Sequence, residues 1–208
     1  MKYELQRIIS GANTISQSAI IQAAAGYLKA SPRASFMAKE SKQNKAQEAE
    51  ILKTFISQNK LWLPDIPFHN YVSEGAEQKV YLKDEKNVSK LNDIIYYNSW
   101  VDYFHSLLLH NYFFSDTAYQ LEGFYIGQDV LMACVSQPFV KATEPTNLES
   151  VKIFMTSNGF VNTRNHDYYN SELGIILEDL HDENVLTVNG ILHFIDTVFY
   201  LNEIFYKP

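Results

Sequence analysis

The sequence predicts an α+β chain with mostly antiparallel strands, and three observations carry that prediction. The runs Gln78-Lys79-Val80-Tyr81-Leu82-Lys83 and Asn87-Val88-Ser89-Lys90-Leu91 are β-prone and joined by the polar turn Asp84-Glu85-Lys86, which reads as a hairpin. Directly after it, Ile94, Tyr97, Val101, Phe104 and Leu108 recur at three and four residues, the spacing of one apolar helical stripe. Before it, Pro64-Asp65-Ile66-Pro67 is a stiff connector that separates a helical segment from the rest. At 208 residues the chain has room for one domain with a proper core plus a helical extension.

The elements follow in order. Residues 1–63 read as a loosely attached helical extension. Its first part carries Ile9, Ile15, Ile20, Ile21 and Leu28; its second carries Ala46, Ile51, Leu52, Phe55 and Ile56, where the helical period is clearest. Ser31-Pro32-Arg33-Ala34-Ser35 breaks them apart, so a helical hairpin packed on the main domain is expected. Residues 64–208 form that domain. After the first hairpin, the helix from about Asp93 should end near His110 and Asn111. Gly123 to Ile126 and Asp129 to Val135 flank Gly127-Gln128 as a second hairpin with a buried outgoing strand, closed by Gln137-Pro138. Thr146-Asn147-Leu148-Glu149 has capping-box spacing, and Leu148, Val151, Phe154 and Met155 line a short helix up to Ser157-Asn158-Gly159. Gly174 to Leu177 and Ile191 to Ile195 are apolar strands around a polar loop, with Asn189-Gly190 as a two-residue turn.

Bulk properties exclude several classes. No run of about 18 apolar residues could span a bilayer, and no signal-peptide pattern opens the chain, so a cytoplasmic location is expected. A net charge of −7 argues against a nucleic-acid partner, because Lys and Arg cluster only between Lys39 and Lys60 and are mixed there with Glu. The single cysteine, Cys134, lies in an apolar run and reads as a core residue. His105 and His110 are five apart, off the spacing that would put two zinc ligands on one helix face. The abundant Tyr and Phe residues read as packing, and the apolar tail Phe199 to Tyr206 needs a partner surface, either on its own domain or on a second copy in a homodimer.

The chemistry concentrates in Asp179-Leu180-His181-Asp182-Glu183-Asn184, a polar loop between apolar strands, with Asp196 at the end of the next apolar run. Phosphoryl transfer needs a carboxylate beside the attacking hydroxyl and oxygen ligands that hold Mg²⁺ against the phosphates. Asp179, Asn184 and Asp196 form such a set. Asp179 precedes Asn184 by five positions, and the second Asp sits on the following hairpin, as in the catalytic loop of kinases.

Leu177 to Leu186 followed by Phe194-Ile195-Asp196 resembles the protein-kinase-like superfamily. Two of its branches fit: the aminoglycoside and choline kinase-like group, and the kinase family of polyvalent proteins of phages and conjugative elements. The second resembles more of the chain, from about Val72 to Thr197, through Gly75-Ala76-Glu77, Gln137-Pro138-Phe139-Val140 and Gly159-Phe160. That resemblance implies a minimal kinase-like fold in a bacterial or mobile-element protein. It would have an antiparallel-sheet N-lobe at about 70–137, a hinge at about 137–141 and a truncated C-lobe at about 142–208. It implies an ATP- and Mg²⁺-dependent phosphotransferase acting on protein. Asp179 would be the catalytic base, with His181 where many protein kinases carry a lysine facing the γ-phosphate. Asn184 and Asp196 would bind Mg²⁺. Gly75 and Glu77 to Val80 would cover the phosphates, Lys90 would reach the α- and β-phosphates, and Gln137 to Val140, including Phe139, would be the adenine hinge.

The chain departs from that pattern in four places. Gly75 is alone where a glycine-rich loop is expected; the helix after the hairpin offers no Glu to pair with Lys90, only Asp93 or Asp102; Glu178 stands where many protein kinases carry Arg; and only twelve residues follow Asp196, leaving no activation segment. These departures keep two alternatives open: a pseudokinase-like binding module acting through protein partners, and a small-molecule kinase.

Overall fold

The computed structural model describes residues 1–13, 16–31, 41–64, 70–74 and 78–207. Among them the order is α1 (Lys2–Ile9), α2 (Ala19–Ala30), α3 (Ser41–Gln58), β1 (Tyr71–Glu74), β2 (Gln78–Leu82), β3 (Asn87–Asn92), α4 (Trp100–Phe113), β4 (Gln120–Gly127), β5 (Val130–Pro138), α5 (Leu148–Ser157), β6 (Val161–Arg164), β7 (Asp167–Asn170), β8 (Ile175–Glu178), β9 (Val185–Val188), β10 (Ile191–Phe194), β11 (Val198–Leu201) and α6 (Glu203–Tyr206). The α+β class holds. Every strand pair is antiparallel: a five-stranded sheet in the order β1-β2-β3-β5-β4, a four-stranded sheet β11-β8-β7-β6, and the hairpin β9-β10.

Both predicted hairpins form. In the first, Asp84 Oδ1 accepts from the Lys86 and Asn87 amides at 2.7 and 2.8 Å and closes the turn that leads from β2 into β3. In the second, the turn residues are Gln128 and Asp129, one step later than expected, because both adopt the left-handed φ (50° and 64°) that a tight hairpin turn demands. Asn189 and Gly190 make the β9-β10 turn in the same conformation, at 50° and 79°.

The central helix corrects the sequence reading. It begins at Trp100, where Ser99 Oγ caps the Asp102 amide at 2.9 Å. Ile94 and Tyr97 belong to the preceding loop, which starts with Ile94 at φ +56° and its amide held by Asn92 Oδ1. Both still bury their side chains, so the stripe marked burial correctly and helix incorrectly. The capping box is also corrected. Asn147 caps α5, accepting from Glu149 N and Ser150 N, while Thr146 Oγ1 bonds Val185 O at 2.6 Å and Thr187 Oγ1 at 2.9 Å.

The N-terminal helices are bound into the core rather than loosely attached. Leu5, Ile8, Ile21, Leu28, Leu52 and Ile56 are fully buried in one cluster with Trp100, Phe104 and Phe124. Each such side chain withdrawn from water stabilises by about 1.5–3 kcal/mol. Polar ties add direction: Gln22 Nε2 reaches Ile8 O at 2.9 Å, and Gln6 Nε2 reaches Phe205 O at 2.6 Å, joining the two ends of the chain. Residues 61–63 follow α3 as a short extended piece on β4. Their backbone approaches so closely that a Cβ on Gly123 would lie 2.4 Å from Leu61 O.

The apolar tail finds its surface within the same chain. As β11 it pairs with β8, and Phe199 and Phe205 are buried in the core. Ile15 and the stretch 65–67 of the connector lie outside the described residues.

Candidate functional site

The cleft forms between one face of the five-stranded sheet and the loop that follows β8. Antiparallel partners share a face, so register decides which side chains reach the cleft. Gln78 pairs with Asn92, Val80 with Lys90, and Val88 with Gln137, which puts Gln78, Val80, Val88, Lys90 and Gln137 on one side. Alternate residues, among them Tyr81, Leu91 and Cys134, pack in a small apolar cluster on the other. Cys134 is a core residue, and burial pushes its thiol up to about 12. The cleft holds about 480 Å³, is roofed by Val72, Ser73 and Glu74 of β1, and is bounded by Pro138, Phe139 and Val140 on one side and Asn184, Leu186 and Asp196 on the other.

Lys90 enters the cleft from the sheet with its side chain only 4% exposed. Its Nζ donates to Ile195 O at 2.8 Å, lies 3.9 Å from Asp196 Oδ2, and sits 5.4 Å from the centre of the Tyr119 ring. Burial pulls the ammonium below the ordinary lysine value, and Asp196 opposes that pull. Burial likewise pushes the Asp196 carboxyl above the usual carboxylate range, against Lys90. Asp196 remains 32% exposed toward the cleft, and Gln78 Nε2 donates to its Oδ2.

The opposite wall is built from backbone. Asp179 holds φ +69°, a left-handed conformation that Asp tolerates better than most residues, and its amide donates to Asp167 Oδ1 at 3.2 Å. The chain then turns through His181, whose carbonyl accepts from the Asn184 and Val185 amides at 3.0 and 2.9 Å. This turn aims Asn184 back at Asp179: its Nδ2 lies 2.9 Å from both Asp179 O and Asp179 Oδ2. His181 Nε2 is 3.3 Å from Asp179 Oδ1 and 3.1 Å from Asn184 Nδ2. The Ile195 and Asp196 amides donate to Asn184 O at 2.9 and 3.3 Å, which fastens the residue before β9 to the residues after β10. Asp179, His181, Asn184 and Asp196 therefore converge, although β8 pairs with β11 rather than with β9.

The donor set suits a hard cation. The Asn184 amide nitrogen is directed at Asp179, which leaves Asn184 Oδ1 as an acceptor in the cleft that Asp196 also lines. Among the described residues no group of three or more His, Cys, Asp or Glu could cage a metal. Two protein oxygens are what Mg²⁺ uses when a substrate's phosphates complete its shell. His105 and His110 lie within the core, where desolvation pushes both down to about 3.

Several expected residues fall elsewhere. Gly75 and Glu77 lie outside the described residues. Gln137 is buried, and its amide donates to Thr117 O at 2.7 Å, so only its backbone and its neighbours are left to meet a ligand. Phe139 lines the cleft, but its N–H is bound to Lys86 O at 2.7 Å. Neither Asp93 nor Asp102 serves Lys90: Asp102 acts on Lys29 at the far side of α4, and the carboxylate beside Lys90 is Asp196. Tyr119 went unmarked in the sequence, and Gln78 was expected only within the phosphate-covering stretch Glu77 to Val80, not as a partner of Asp196. The strand alternation that places Val80 in the cleft also places Gln78 there, but no local signal announces Tyr119.

The family model described as serine/threonine/tyrosine kinase found in polyvalent proteins matches residues 45–203, from α3 to the start of α6. No curated protein and no solved structure matches the chain. The match spans about three-quarters of the sequence and encloses both walls of the cleft. The chain belongs to the serine/threonine/tyrosine kinase family found in polyvalent proteins.

Proposed function

We propose that the chain is an ATP- and Mg²⁺-dependent phosphotransferase that acts on hydroxyl groups of protein. The observation that carries this reading is the meeting at one cleft of Lys90 from β3, Asp196 from the turn after β10, and Asn184 with its partner Asp179 from the loop after β8. The reading takes the sheet as the nucleotide-covering lobe, with Val80 and Val88 against the adenine and the backbone of Pro138 and Val140 along its edge. Lys90 would neutralise the α- and β-phosphates. Asn184 Oδ1 and the Asp196 carboxylate would hold Mg²⁺, which offsets the charge of the phosphates when bound.

Asp179 has the exposure a base needs, with its side chain 58% accessible and its carboxylate already turned by Asn184. It would orient the acceptor hydroxyl and take its proton as that oxygen bonds the γ-phosphorus of ATP and the bond to the bridging oxygen breaks, with ADP as the leaving group. His181, between Asp179 and Asn184, would face the transferred group. Incubation with labelled ATP and Mg²⁺ tests the reading: transfer to protein by the wild type, strongly reduced in Asp179→Asn, is the expected result. Equal transfer by both chains, or none by the wild type, overturns it.

A further inference from the structure

The buried ammonium of Lys90 poses a question of support. A lysine taken out of water needs acceptors or a negative potential near Nζ. Among the described residues, that environment consists of the Ile195 carbonyl, the Asp196 carboxylate at 3.9 Å and the face of Tyr119. Tyr119 does two things at once. Its ring centre lies 5.4 Å from Nζ, within cation–π range, and its hydroxyl donates at 2.9 Å to the same Ile195 carbonyl that Lys90 uses. The Tyr119 backbone and ring are each held by α4. Asn111 of α4 accepts from Tyr119 N at 2.7 Å and donates to Tyr119 O at 2.8 Å, and it also donates to Ser18 Oγ at 3.0 Å. His110, one residue earlier, packs on the Tyr119 ring at a 49° tilt, 4.5 Å between centres, and meets Thr197 Oγ1 at 2.7 Å, directly after Asp196.

We infer that Tyr119 is the positioning residue of Lys90, doing from the strand side what a helix carboxylate would otherwise do, with Asn111 locking it in place. The inference rests on the proposed nucleotide role of Lys90 for its consequence, but not for its test. Its reach extends beyond the family-matched region, because Ser18 lies ahead of residue 45 and touches the Asn111 clamp.

The test separates the ring's electrostatics from its bulk. Tyr119→Phe is compared with the same chain carrying 3,4,5-trifluorophenylalanine at position 119, nearly the same shape with an electron-poor face. The Lys90 Nζ titration is followed by NMR in ¹⁵N-lysine protein, with Lys90→Met assigning the signal. Asp196 and His110, the other titratable groups facing Lys90, are unchanged in both. The trifluoro chain should titrate at lower pH than Tyr119→Phe and bind Mg²⁺-ATP roughly two- to fivefold more weakly. Tyr119→Leu should weaken binding further. Identical Lys90 titrations in the Phe and trifluoro chains overturn the inference. A wild type that binds no Mg²⁺-ATP sinks the proposed function while the Lys90 comparison still decides the role of Tyr119.

Discussion

The two walls of the cleft are held by opposite means. On the sheet wall, Lys90 is almost wholly buried behind the core side chains of Tyr119, Gln137 and His110, which bond the backbone carbonyls of Ile195 and Thr117. On the loop wall, Asp179 is 58% exposed and His181 26%, and backbone hydrogen bonds within residues 179–196 set their positions. A charge held by burial is coupled to the stability of the whole domain. One held by a local turn is free to be changed without unfolding anything.

The largest expected effect comes from the loop wall. Asp179→Asn should lower phosphotransfer by about 10²- to 10⁴-fold while Tm stays within about 2 °C, checked by the labelled-ATP assay and calorimetry on one preparation. A large Tm loss would show that the exposed carboxylate is structural, which breaks the contrast. On the sheet wall, Lys90→Met leaves the Asp196 carboxylate without its ammonium, so Tm at neutral pH should fall clearly below the wild type's, while Mg²⁺-ATP binding weakens by about tenfold or more. A variant that binds nucleotide like the wild type would mean that Lys90 serves the fold alone.

Behind that wall, α4 carries His105, whose two ring nitrogens have no partner among the described residues and which burial pushes down to about 3. Its folded value is depressed, so its contribution to stability is complete above the unfolded value of about 6.5 and is lost as pH falls toward 3. In urea unfolding between pH 4 and 6, His105→Leu should lose stability less steeply than the wild type, by about 1.4 kcal/mol per pH unit. Equal slopes would mean that His105 is protonated in the folded state.

The smallest effect concerns the start of α4. Glu48 of α3 accepts from the Trp100 amide at 2.5 Å, and burial raises its carboxyl to about 7. A raised carboxyl is neutral at low pH and becomes destabilising as pH rises from its ordinary value through about 7. Glu48→Gln keeps the acceptor and removes the charge, so Tm at pH 8 should rise by roughly 2–4 °C and match the wild type near pH 5. No difference at pH 8 would show that the carboxylate is stabilised by the helix it caps.

Legibility differed for the same reason that the walls differ. The loop wall could be read from sequence because its geometry is local: Asp179, Asn184 and the Asn189-Gly190 turn lie within a dozen residues, and their spacing dictates their meeting. The hairpins at Asp84 and Gln128 were legible through their turn chemistry. Strands β1, β6 and β7 were not, since each is four residues long and largely polar. The onset of α4 was missed because the buried Ile94 and Tyr97 imitate helical spacing while the loop at φ +56° prevents it.

From the sequence alone came the α+β class, the principal hairpins, the family resemblance and the grouping of Asp179, Asn184 and Asp196. Tertiary structure alone decided that the N-terminal helices share the core, that the tail becomes β11, and that Lys90 answers to Asp196 and Tyr119 rather than to an acid on α4. Turns and short loops are set by neighbouring φ and ψ preferences, which a sequence displays directly. Which side chains surround a buried charge depends on strand register and helix packing across a hundred residues, and no local pattern encodes it.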